Sequence, residues 1–297
     1  MHKSDGSRAA PDCAAGTSKP APEADIAGAA VAHEAMTQTA GRWRRRALLT
    51  GGAVAVAAWV GGIPRLGSLW RSRLTFQAIP GLAPFRELGT TGRLSTASAL
   101  LTGLDAGPTP DAADEALIAE VRANPCAALF GTQTDRRLPI AFFSDFNCPN
   151  CRILNAILTD HDAKNPGTIR IIHHELPLLG AASTIASRAV LAAQLQGGYT
   201  AMHDRLIRAQ MVTDLNYVLT MAQSVGLDGK RLVADMQTPA IATALDKSKA
   251  IARVFGFYGT PATVIGSTVF LGAIPAADVA QIIEAELAAP VRACSAG

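Results

Sequence analysis

Hydrophobic positions change period several times along the chain, and each change marks an element. The run Leu138-Pro139-Ile140-Ala141-Phe142-Phe143-Ser144 is short and apolar and predicts a buried strand. After a three-residue turn, Cys151, Ile153, Leu154, Ile157 and Leu158 recur at helical spacing, up to the polar stretch 160–166. Residues 168–174 predict a second strand. Strand, helix and strand in succession imply parallel strands and a right-handed crossover. Residues 181–253 read as helical. One segment ends at Gly197-Gly198, one spans 203–211, one spans 215–225 with Asp214 as its cap, and two more follow the turn at 226–229. The runs 262–265 and 268–271 flank Gly266-Ser267 as a hairpin, and 276–288 predicts a closing helix.

Upstream the pattern weakens. Residues 65–122 carry Gly, Pro, Ser and Thr with short apolar runs (76–85 and 100–104), and read as a spacer with one short helix. Asp111 or Asp114 caps that helix, which runs to about Arg122 and is ended by Pro125. Residues 42–64 place Arg42, Arg44, Arg45 and Arg46 directly before the uncharged apolar run 47–63, the layout of an export signal or a membrane anchor. Arg45-Arg46-Ala47-Leu48-Leu49 resembles the twin-arginine export motif. The run is broken by glycines and is marginal against the roughly 20 apolar residues of a spanning helix. No small-x-small cleavage site follows it, which favours a retained anchor with the N-terminus in the cytoplasm. Residues 1–41 are rich in Ala, Pro, Ser and Gly without a hydrophobic period, and are expected to be disordered. The remainder, 123–297, is a single domain with its helical insertion at about 181–252.

Composition narrows the function classes. Of 297 residues 49% are hydrophobic, enough for a sizeable core, and a net charge of +3 is too small to argue for nucleic acid. Five cysteines are present. If the anchor orients as expected, Cys13 stays in the cytoplasm, while Cys126, Cys148, Cys151 and Cys294 lie in an oxidising compartment. Four cysteines allow three pairings. The spacing makes Cys148–Cys151 the natural first pair. That leaves Cys126 and Cys294 either as a structural staple or as two thiols.

Cys148-Pro149-Asn150-Cys151 stands where a strand hands over to a helix N-terminus. Unpaired backbone N–H groups and the helix dipole there favour an anion, so the Cys148 thiolate is expected to form below the ~8.5 of a free thiol. Pro149 suits the first helical turn because its missing N–H is not needed there. Cys151 lies one turn further in and is expected to be the more buried, resolving the mixed disulfide that Cys148 forms. A zinc site lacks a second Cys pair, and His173 and His174 point to opposite faces of a strand. No metal and no cofactor beyond the cysteine pair is expected, although exposed thiolates leave copper binding open. Gly259-Thr260-Pro261 precedes a strand, and X-Pro bonds are the usual home of cis peptides. Thr260 there exposes its backbone for pairing with an extended substrate chain.

The segments 143–151 (Phe-Ser-Asp-Phe-Asn-Cys-Pro-Asn-Cys) and 259–263 (Gly-Thr-Pro-Ala-Thr) resemble the active-site and cis-proline segments of DsbA-like thiol–disulfide oxidoreductases. Residues 171–178 and Tyr199-x-x-x-His203 are similar to that family's second strand and the start of its helical insertion. The likeness covers roughly 124–289. It implies an α/β, thioredoxin-like fold with a helical insertion, preceded by the single anchor or signal helix. It further implies Cys148 as nucleophile, Cys151 as resolving thiol, and Thr260-Pro261 facing substrate. Two departures stand out. Asn150 replaces the ionisable His of strongly oxidising members, and Phe142 stands where thioredoxin-like proteins often bury an acid. That leaves Asp145, read as a solvated or capping residue, and Glu175 as titratable candidates.

The function expected is extracytoplasmic exchange of the Cys148–Cys151 disulfide with cysteines of exported proteins, as an oxidase, at the periplasmic face of the inner membrane. A reductase in client maturation and a copper-binding thiol module are the alternatives. Expected partners are unfolded exported proteins, a membrane or soluble redox partner, and the membrane itself through the N-terminal helix.

Overall fold

The structure is a computed structural model that describes residues 74–89, 92, 111–132, 136–289 and 294, all within the unit Ser72–Gly297. The expectations for 1–64, including the anchor, the twin-arginine-like motif and Cys13, lie outside the described residues. Among the described residues no helix is long and apolar enough to cross a membrane.

Six strands form one sheet in the order β1-β2-β6-β5-β3-β4. They are β1 (Phe76–Ala78), β2 (Arg86–Leu88), β3 (Leu138–Ser144), β4 (Ile169–Glu175), β5 (Ala262–Ile265) and β6 (Thr268–Leu271). β3 runs parallel to β4 and antiparallel to β5, which pairs antiparallel with β6. Helix α3 (Pro149–Lys164) crosses between β3 and β4, and α9 (Ala276–Ala288) follows the β5–β6 hairpin. Between them lies the expected helical block: α4 (Ala181–Gln194), α5 (Tyr199–Ile207), α6 (Leu215–Ser224), α7 (Gly229–Asp235) and α8 (Pro239–Phe255).

The period-2 alternation of the strands divides the interior in two. Leu138, Ile140 and Phe142 of β3 enter a core shared with α3 to α7 and α9. Ala141 and Phe143, between them, enter a second core with α8 and two earlier helices, α1 (Ala112–Ala123) and α2 (Pro125–Phe130). Every residue of β3 is buried, which is why it reads as a continuous apolar run.

Two expectations are refined. Within the stretch read as a spacer, residues 76–78 and 86–88 pack on the domain as strands of its sheet: β2 runs parallel to β6, and the Arg86 N–H donates to Ser267 O at 2.9 Å. Leu82, Phe85 and Leu88 are buried there. Strands of three residues are too short to display a period. Within the same stretch Asp111, not Asp114, caps α1, accepting from the N–H groups of Ala113 and Asp114 at 2.9 Å each. Pro125 opens α2 as well as following α1. Second, α5 spans Tyr199–Ile207, not 203–211. It starts directly after Gly198, and residues 208–214 leave the helix to meet the active-site turn.

Two ties lie away from that turn. The buried Glu286 carboxylate accepts from Ser267 N–H (3.1 Å), Thr268 Oγ1 (2.6 Å) and the Arg86 guanidinium (3.1 Å), joining α9 to β6 and β2. A Cβ on Gly266, whose φ is +57°, would stand 2.5 Å from Glu286 Oε2, so glycine is needed at that turn. Cys126 of α2 and Cys294 are joined by a disulfide with Cα atoms 5.4 Å apart.

Candidate active site

The sheet brings the two sequence motifs together. β3 ends at Ser144, residues 145–147 turn, and Cys148 is the N-cap of α3 with Pro149 in its first turn. β5 lies next to β3, with Ala262 opposite Phe143, so the residues just before β5 flank that turn. The Thr260-Pro261 bond is cis. Cys148 Sγ accepts the Cys151 N–H at 3.0 Å and donates to Thr260 O at 3.4 Å. The first contact, with the helix dipole, favours a thiolate; the second favours the neutral thiol.

Both cysteines are fully buried, whereas the sequence predicts Cys148 to be the more accessible. Its sulfur is turned inward onto the Thr260 carbonyl and the helix N-terminus. Burial pushes the Cys151 thiol well above its ordinary range, and the Cys148 sulfur beside it adds to the effect. Thr260 Oγ1 is buried near the Cys151 sulfur, outside a formed hydrogen bond but close enough to favour its thiolate. Pro149 is exposed and Asn150 half-buried on the outer side of the turn.

Asp145 is neither solvated nor a cap of α3. It is fully buried, and its carboxylate accepts four hydrogen bonds. Oδ1 takes Asn147 N–H (2.8 Å) and Ser183 Oγ (2.7 Å), while Oδ2 takes the N–H groups of Leu178 (2.8 Å) and Leu179 (2.9 Å). These bonds fasten the active-site turn to the loop between β4 and α4.

Glu175 lies at the end of β4, paired in register with Ser144. Its carboxyl is raised to about 8, chiefly by burial and also by the nearby Asp145 charge, while the Tyr199 hydroxyl, donating at 2.7 Å, opposes the shift. Burial holds His173 down at about 3 and His203 at about 4, with ring centroids 4.0 Å apart. His174 faces the opposite core, stacks on Phe143 and contacts Leu129 O at 2.8 Å. Among the described residues no group of three or more His, Cys, Asp or Glu is arranged to hold a metal.

Two site residues escaped sequence reasoning. Asn147 pairs with Val212 from 65 positions away, and no local pattern announces such a pair. The Tyr199–Glu175 bond spans 24 positions and is no more visible locally.

A family model described as a DSBA-like thioredoxin domain matches residues 139–284. The chain covers 98% of a solved thioredoxin-like oxidoreductase from Silicibacter pomeroyi DSS-3, with 31% identity, a TM-score of 0.52 and 55% of this chain included. The chain belongs to the DsbA-like thioredoxin family. It is a thiol–disulfide oxidoreductase. Two further structures share the fold. The catalytic domain of Proteus mirabilis ScsC is 25% identical with a TM-score of 0.50, covering 59% of this chain and 98% of that one. The thiol-disulfide exchange protein alpha-DsbA2 from Wolbachia pipientis shares the fold, at 20% identity and a TM-score of 0.50, covering 60% and 99%. Among curated proteins, the Na(+)/H(+) antiporter NhaA of Herminiimonas arsenicoxydans is 26% identical over 151 residues, or 51% of this chain. The DsbA-like chain spans only 24% of that protein's length.

Proposed function

We propose that this DsbA-like protein is an extracytoplasmic oxidase that passes the Cys148–Cys151 disulfide to cysteine pairs of exported proteins. The observation that carries the reading is the setting of Cys148 Sγ at the N-terminus of α3, where it accepts the Cys151 N–H, next to cis Pro261. A client thiolate attacks Cys148 Sγ, the Cys148–Cys151 bond breaks, and Cys151 leaves with the electron pair and takes up a proton. The client's second thiolate then attacks its own sulfur in the mixed disulfide and expels Cys148. The client loses two electrons and two protons, and the cysteine pair gains them. Once released, Cys151 is held as the protonated thiol, because burial disfavours its thiolate. The backbone of Thr260 pairs with the extended client next to Pro261, and Pro149 and Asn150 face it from the turn.

The Cys126–Cys294 bridge supports the compartment, since structural disulfides persist in oxidising surroundings. The arginine-led apolar segment before the domain supports export or anchoring at the outer face of the inner membrane, where a membrane or soluble partner reoxidises the pair. One observation favours the opposite direction. Asn150 carries no charge, and the Thr260 carbonyl stabilises the Cys148 thiol, which are features of a reductase. Equilibration with glutathione decides between them. An oxidase requires a potential near or above about −180 mV, and a value near −270 mV establishes the reductase.

A further inference from the structure

Asn147 is the residue immediately before Cys148, and its side chain leaves the active-site turn altogether. Its Oδ1 accepts the Val212 N–H at 2.7 Å and its Nδ2 donates to Val212 O at 3.1 Å. Both bonds of a strand bridge are thus made by one amide side chain. The partner segment is the non-helical stretch 208–214 between α5 and α6. Val212 itself is buried in the core that contains Cys148 and Cys151. Its neighbour Met211 is 63% exposed, the most exposed large hydrophobic side chain among the described residues. Four such side chains are exposed there, and only Leu195 is remote in sequence from the site segments. Ile153 stands two residues after Cys151, Tyr258 two before Thr260, and Met211 beside the Asn147 bridge.

We propose that Asn147 is a positioning residue for protein clients. Through its two bonds to Val212 it holds Met211 at the rim of the Cys148 site, where the thioether contacts an apolar side chain flanking the client's cysteine. The inference rests on Cys148 being the sulfur that clients reach. Methionine suits the task, being unbranched and polarisable and so able to fit different apolar partners. The amide suits its own task as well. It supplies one donor and one acceptor in a plane, whereas an aspartate would set a carboxylate against the Val212 carbonyl.

The test uses the full chain and a synthetic peptide carrying two cysteines flanked by leucines. A second peptide has serines in place of the leucines, and glutathione is the third substrate. Exchange is followed in both directions, so that a reductase is read as clearly as an oxidase. A failure of the oxidase reading then shows in the direction of exchange, not in the comparison of variants. Asn147→Ala and Met211→Asn should each raise KM for the leucine peptide about fivefold, as expected for one partly exposed apolar contact. The double variant should be no worse than either single one, because one residue acts through the other. The Val212 amide should exchange faster in Asn147→Ala, and Asn147→Asp should fall between wild type and alanine. Losses that add in the double variant overturn the proposal. So does an equal loss with the serine peptide or glutathione, or an unchanged KM alongside a freed Val212 amide.

Discussion

Asp145 and Asn147 flank the same turn, and at the scale of single residues they do opposite things with similar groups. Asp145 gathers four donors onto a buried carboxylate and fixes the turn from below. Asn147 reaches outward to a segment of the helical insertion. Replacing Asp145 by Asn would set an amide NH2 against backbone N–H donors, so Asp145→Asn should cost about 2–4 kcal/mol in urea unfolding. A cost below about 1 kcal/mol would show that the turn stands without it. The helix-start setting of Cys148 and Cys151 is legible because its signal is local: two cysteines three apart after an apolar strand need no distant partner to be placed. Asp145 was misread as solvated because its partners Leu178, Leu179 and Ser183 lie more than thirty positions away, and only the fold makes it buried.

Among the elements, those with a clean period were readable and the short ones were not. β3, β4 and the β5–β6 hairpin carry apolar runs or a glycine turn, and they stand where the pattern puts them. β1 and β2, with three residues each, show no period and are defined by pairing. What holds β2 at the sheet beyond its backbone bonds is the Arg86–Glu286 contact, together with Thr268 Oγ1 on the same carboxylate. Glu286→Gln keeps the shape but turns an NH2 towards those donors, and should lower stability by about 1–3 kcal/mol. Amide exchange should then accelerate at Arg86, whose N–H bonds to Ser267 O. Unchanged exchange at Arg86 would mean that backbone pairing and apolar burial alone retain the hairpin. The end of α5 was misplaced for the same kind of reason: a tertiary bond to Val212, not propensity, decides where the helix gives way.

For the whole molecule, the buried titratable groups set a pH profile with two arms. His173, His174 and His203 are held at about 3, 4 and 4, below the ordinary 6.5, so the unfolded chain binds protons that the folded one refuses. Their contribution is present above 6.5 and is lost as pH falls towards 4. Glu175 is the reverse case. Its folded value of about 8 exceeds the ordinary 4.5, so its contribution is full below 4.5 and is lost as pH rises to 8. Three groups outweigh one below 6.5, and Glu175 alone acts between 6.5 and 8. Stability should therefore peak near pH 6.5 and fall above it by about 1.4 kcal/mol per unit. In Glu175→Gln the falling arm should vanish; a fall that survives in the variant would assign it elsewhere. The Cys126–Cys294 bridge bears on the history of the molecule as well as its equilibrium. As the chain is synthesised, Cys126 emerges before Cys148 and Cys151, and Cys294 only after the last strand and helix. For most of that interval Cys148 and Cys151 are present while Cys294, the partner of Cys126, is not. A protein that exchanges disulfides with others must therefore first be kept from trapping its own half-made chain in a mispaired one.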